Sequence, residues 1–96
     1  MQQYLIIARD GNDTEAFERR MKARTSHFEV ARQLKLHGQF VMGGAILDDH
    51  GKMTGSVMVV QFEREDDLLD WMRAEPYINE DVWQSIEVKP FRIAEV

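Results

Sequence analysis

The longest periodic stretch of the chain, residues 17–36, sets three basic residues on the side of a helix that should face a core. Projected at about 100° per residue, Glu18, Arg19, Lys22, Thr25, Ser26, Glu29, Arg32 and Gln33 gather on one arc. Ala16, Phe17, Met21, Ala23, Phe28, Val30, Ala31 and Leu34 gather on the other. Arg20, Arg24 and His27 fall inside this second arc, at spacings i, i+4 and i+7. Charges turned toward a core are costly unless they are paired or solvated in a cleft. A fold for this chain must therefore supply a buried ion-pair network or an anion-binding cavity beside this helix.

The other elements follow from apolar pattern and turn chemistry. Residues 4–8 are a short aliphatic run closed by the turn cluster Arg9-Asp10-Gly11-Asn12-Asp13, which predicts a buried strand. Thr14 is the expected N-cap of the long helix, with Glu15 and Glu18 suited to its first turns, and Gly38 ends it. Residues 40–47 read as a second strand interrupted by Gly43-Gly44, a pairing that marks a bulge or the close approach of a ligand or backbone. A hairpin loop over 48–52 leads to a β-branched strand, GSVMVVQF, at 55–62. Residues 63–74 predict a second helix that Pro76 stops. A connector over 77–81, with room for a turn of helix, precedes a last strand, 83–93, whose Pro90 requires an edge position or a bulge.

This order, β-α-β-β-α-β, is that of an α+β, ferredoxin-like domain: an antiparallel sheet with two helices on one face. The 96 residues form one domain, 1–96, with no room for a second core. Ile6, Val57, Val59, Ile86 and Val88 sit among neighbours nearly as apolar, so both sheet faces read as hydrophobic. With only one face covered, the expectation is a homodimer formed through the other.

Several function classes are excluded or disfavoured. A net charge of -5 opposes non-specific binding to nucleic acid or an anionic membrane. The domain order is shared with RNA-binding domains, but residues 4–6 and 57–60 lack the aromatic and basic pattern those need. The absence of cysteine removes disulfides, thiolate metal sites and cysteine nucleophiles. His37 and His50 show no metal-ligand spacing with His27, and Gly43-Gly44 lacks the context of a phosphate loop, so no metal and no cofactor are expected. The first eleven residues carry too short an apolar run for a signal peptide, and no stretch is long enough to span a membrane, so the expected location is cytoplasmic.

The order and spacing of several short motifs resemble the YCII-related (YciI-like) family along nearly the whole chain. They are R-x3-R-x2-H (Arg20, Arg24, His27), Gly44 late in the second strand, T-G-S (Thr54, Gly55, Ser56), acid-Pro-Tyr (Glu75, Pro76, Tyr77) and V-K-P-F (Val88, Lys89, Pro90, Phe91). The resemblance implies a dimeric α+β barrel similar to the muconolactone isomerase group. It also implies a cleft in which His27 faces the acid of the acid-Pro-Tyr step as a His-acid dyad. That acid is usually Asp in the family and is Glu75 here, one methylene longer. Some family members are linked to the breakdown of chlorinated aromatic compounds.

On this reading His27 is the general acid/base, because imidazole ordinarily titrates near neutral pH, and Glu75 orients it. Arg20 and Arg24 suit a carboxylate clamp, since guanidinium forks match carboxylates in bidentate fashion. Alternatively they pair with Glu75 or with acids near the second helix as a structural network. Ser56 could donate a hydrogen bond to a bound anion, and Tyr77 could line the cleft or donate its hydroxyl. The expected partner is a small acidic organic molecule, processed by elimination, isomerisation or hydrolysis. The rival expectation is a non-catalytic module that binds or senses a small anion in the same cleft.

Overall fold

The first strand, β1 (Gln2–Asp10), buries Tyr4, Ile6 and Ala8 and leaves Leu5 and Ile7 half-buried between them. Alternation with period two turns one face of a sheet to a core and the other outward. In the computed structural model, which describes residues 1–96, this strand lies inside a four-stranded sheet of order β2-β3-β1-β4. The other strands are β2 (Phe40–Leu47), β3 (Met53–Phe62) and β4 (Trp83–Phe91). Every neighbouring pair is antiparallel, with Ala8 opposite both Ser56 and Ile86, and Ala45 on the far side of Ser56. Pro90 sits on the edge strand β4, where its missing N–H costs no ladder bond on the open side.

Helices α1 (Ala16–Leu36), α2 (Glu65–Ala74) and α3 (Pro76–Asn79) connect the strands. Ala23 and Leu34 of α1, Leu68 and Trp71 of α2 and Tyr77 of α3 form one core with Tyr4, Ile6, Met58, Val60 and Phe62. The expected α+β, ferredoxin-like arrangement is thus the one the chain adopts. The connector at 77–81 carries the turn of helix expected for it, as a third, short helix, because Glu75 caps it and Pro76 occupies its first turn.

Two details of α1 differ from expectation. Thr14 is not the cap: Glu15 holds that position without a side-chain bond, and Asp13 organises the turn instead. The Asp13 carboxylate accepts from Glu15 N at 3.3 Å and from the Arg19 guanidinium at 2.8 and 2.7 Å. The buried stripe is also narrower than the arc drawn from the sequence, comprising Ala16, Arg20, Ala23, His27 and Leu34. Met21 and Phe28, at its margins, remain 42% and 41% exposed. At its other end the helix closes on Gly38, whose φ of 69° lets Gly38 N and Gln39 N reach the carbonyls of Lys35 and Leu34.

The sheet face away from the helices carries Leu5, Ile7, Ile46 and Val57, all half-buried, with Val59 buried and Met42 46% exposed. No helix is long and apolar enough to cross a membrane.

Gly55 leaves no room for a side chain between β3 and β1, because a Cβ there would stand 2.5 Å from the Ala8 carbonyl oxygen. Gly55→Ala should force the strands apart beside Ser56 and cost about 1–3 kcal/mol in urea unfolding, whereas an unchanged midpoint would contradict this packing. Hydrogen bonding from Arg19 holds the Asp13 carboxyl down at about 2. The folded state therefore favours the ionised form, and its contribution is present above the ordinary carboxylate range and lost as pH falls toward that value. Asp13→Asn should lower the thermal midpoint at pH 7 and match the parent near pH 2; a gap of equal size at both pH values would refute the assignment.

Candidate functional site

Glu75 stands between α2 and α3 in an extended conformation (φ -70°, ψ 118°), the region a residue before proline prefers. From there its side chain turns back under α1. One carboxylate oxygen, Oε1, accepts from Tyr77 N at 3.1 Å and also from His27 Nδ1. The same atom therefore caps α3 and orients the imidazole, which the additional methylene of glutamate allows. Glu75 is 1% exposed, and its Oε2 has no protein partner.

His27 is packed as firmly as it is bonded. The Tyr77 ring stacks on the imidazole with centroids 3.9 Å apart and planes 9° from parallel, and Trp83 presents an edge at 5.9 Å. Because a carboxylate receives Nδ1–H, the neutral ring carries its lone pair on Nε2. Nε2 makes no bond to the protein, and His27 lines a cavity.

Arg20 is committed elsewhere. Its Nη1 donates to both Asp10 oxygens at 3.1 Å, and its Nη2 donates to Ser56 Oγ at 2.9 Å. Ser56 Oγ also accepts from Trp83 Nε1 at 3.2 Å. Arg20 is 4% exposed and the Asp10 side chain 3%, so this is a buried ion pair. Burial pushes the Asp10 carboxyl above its ordinary pKa, while the charge and hydrogen bonds of Arg20 pull it down. The pairing with Glu75 or with acids near the second helix, considered from sequence, is not the one formed. Asp10 is the residue that sequence reasoning missed. It continues the inward series Tyr4, Ile6, Ala8, and a register shift between Arg9 and Asp10 marks the place where the strand re-aims.

A cavity of about 260 Å³ lies between α1 and the β2–β3 hairpin. Arg20, Arg24, His27, Phe28 and Ala31 wall it on the helix side, and Phe40, Gly43, Gly44, Ala45, Met53, Ser56 and Met58 on the sheet side. The two glycines expected to admit a ligand or backbone do border open space here. Gly43 leaves room for the Phe40 ring, 3.0 Å from where a Cβ would sit. Arg24 is half-buried, lies over the Phe28 ring at 4.6 Å, and makes no ion pair or hydrogen bond within the protein. Of the six residues expected at the site, Arg20, Arg24, His27 and Ser56 line this cavity. Glu75 and Tyr77 do not. Tyr77, expected at the cleft wall, is 1% exposed behind the imidazole, because the turn of α3 rotates its ring into the core.

Known proteins share this fold to different depths. The solved 5-chloro-2-hydroxyhydroquinone dehydrochlorinase of Burkholderia phenoliruptrix, in complex with 2,5-dihydroxybenzoquinone, superposes with a TM-score of 0.81 at 20% identity, covering 96% of this chain and 95% of that one. A NIPSNAP family protein from Agrobacterium tumefaciens gives a TM-score of 0.56 at 13% identity, covering 98% and 93%. These likenesses show the fold. Protein YciI of Escherichia coli is 30% identical over 95 residues, 93% of this chain and 95% of that protein. A Haemophilus influenzae relative described as an uncharacterized protein is 32% identical over 95 residues, with the same coverage of 93% and 95%. The YCII-related domain itself matches residues 2–92, nearly the full length, and the chain belongs to that family.

Proposed function

We propose that this protein is a small proton-transfer enzyme that acts on an acidic organic molecule bound between α1 and the β2–β3 hairpin. The observation that carries the reading is the placement of His27. Its Nδ1 is tied to a buried carboxylate, its other nitrogen has no protein partner, and the residue lines a cavity that also holds an uncommitted cation, Arg24. Arg24 is the group available to hold a carboxylate or phenolate, since Arg20 is bound to Asp10. A substrate held there would offer a C–H bond to His27 Nε2. Return of the proton to another carbon gives isomerisation, and departure of a leaving group gives elimination. Dehydrochlorination, the activity named for the solved protein of the same fold, is a reaction of the second kind and is in keeping with this class.

The outer sheet face supports a second part of the proposal. Leu5, Ile7, Val57 and Met42 form an apolar surface that a second copy of the chain would cover. Light scattering should report a dimer, and Val57→Glu should convert it to monomer; a parent protein that is monomeric at about 100 µM would refute this.

The catalytic assignment is tested with a panel of hydroxylated and chlorinated aromatic acids. His27→Ala should lower kcat by about 100-fold or more with little change in affinity. Arg24→Ala should weaken binding by about tenfold or more. Full turnover by the His27 variant would overturn the enzyme reading. Binding that needs Arg24, survives loss of His27 and never leads to turnover would identify an anion-binding module in its place.

A further inference from the structure

The bonds at Ser56 dictate what its hydroxyl can still do. A hydroxyl has two lone pairs and one hydrogen, whereas guanidinium and indole N–H groups only donate. Arg20 Nη2 and Trp83 Nε1 occupy both lone pairs, at 2.9 and 3.2 Å. The remaining valence is the O–H, and no protein acceptor lies within hydrogen-bond distance of it. Ser56 is 3% exposed, so bulk water is largely shut out, yet the residue lines the cavity. Nothing within the protein competes for that hydrogen.

From this geometry we infer that Ser56 is a one-way hydrogen-bond donor to an acceptor oxygen, a carbonyl or an oxyanion, of the molecule bound in the cavity. Asp10 and Trp83 are positioning residues that keep it so. Trp83 fills one lone pair directly. Asp10 fixes the guanidinium of Arg20 that fills the other, from a bidentate seat at the end of β1. Neither Asp10 nor Trp83 lines the cavity. The inference rests on the proposed use of the cavity for small anions and sharpens it by naming the substrate class: a carbonyl compound with an acidic C–H bond. When His27 Nε2 takes that proton, the C–H pair becomes the enolate C=C bond and the carbonyl π pair moves onto oxygen. The resulting oxyanion is met by a donor already in place, which is where such a donor has most effect. Re-formation of the carbonyl then either delivers the proton to the far carbon of a conjugated dienolate or expels a leaving group on the adjacent carbon with its bonding pair. A group that can only donate, such as an ammonium, is refused at this position.

The probe is 4-nitrophenol, because a hydrogen bond to its phenolate oxygen stabilises the ground state and moves the absorption band to shorter wavelength. The parent protein should bind the phenolate and shift the band. Ser56→Ala should abolish the shift and weaken phenolate binding about tenfold or more. Trp83→Phe should reduce the shift while leaving the cavity walls intact. Asp10→Asn should do the same where it folds, and Ser56→Ala with Trp83→Phe decide the matter where it does not. Arg24→Ala should weaken binding yet keep the shift in whatever complex forms. In nitrogen-15 spectra the indole N–H of Trp83 should move in Ser56→Ala while that of Trp71, which has no partner, stays in place. An unchanged band and affinity in Ser56→Ala would overturn this inference and leave the proposed function standing. Absence of phenolate binding to the parent protein would overturn the reading of the cavity itself.

Discussion

A guanidinium taken out of water must meet a carboxylate, and the answer to Arg20 by Asp10 is the constraint around which the rest of the molecule is arranged. The pair joins the inner stripe of α1 to the last residue of β1, and through Ser56 and Trp83 it reaches β3 and β4. Four elements are thereby held in one register beside the cavity. A buried ion pair is weak evidence of net stability, because desolvation offsets much of the attraction. Its effect here is better described as placement: losing either partner leaves a charge stranded in the core, so alternative packings of α1 on the sheet are excluded.

The second half of the site uses one carboxylate atom for two purposes. Glu75 Oε1 caps the four-residue helix α3 and receives the His27 Nδ1–H. The conformation of the chain after α2 and the orientation of the imidazole are therefore coupled. Tyr77 reinforces this from below, since its backbone N–H holds Glu75 and its ring stacks on His27. Burial raises the Tyr77 hydroxyl above its ordinary pKa.

Much of this was legible in the sequence. Period-two runs, turn clusters and the 17–36 helix were enough to order the elements as β-α-β-β-α-β, and the basic stripe announced that α1 would need a partner or a cavity. Asp10 was not legible as that partner. With Arg9, Gly11, Asn12 and Asp13 it reads as a turn cluster, which ends the strand at Ala8. Extending the alternation by one step, from Ala8 to Asp10, was the available signal. Thr14 is a reasonable cap by residue type, but Glu15 holds the cap position and Asp13, bound by Arg19, organises the turn before it. Tyr77 illustrates a different limit: its ring direction depends on the helical turn of α3, which four residues of sequence do not define.

Periodicity also could not separate Arg20 from Arg24. They lie one turn apart on the same face, and sequence assigned both to a single clamp or a single network. In the folded chain their depth differs, and depth decides their chemistry. Arg20 points at the sheet, is 4% exposed and has both terminal nitrogens engaged by Asp10 and Ser56. Arg24 stands nearer the mouth, half-buried over Phe28, with no protein carboxylate in reach. One arginine is therefore part of the framework, and the other lines the cavity without a protein partner. The basic stripe divides into a buried network and an unpaired cation, with the boundary between the two falling in the single turn from residue 20 to residue 24.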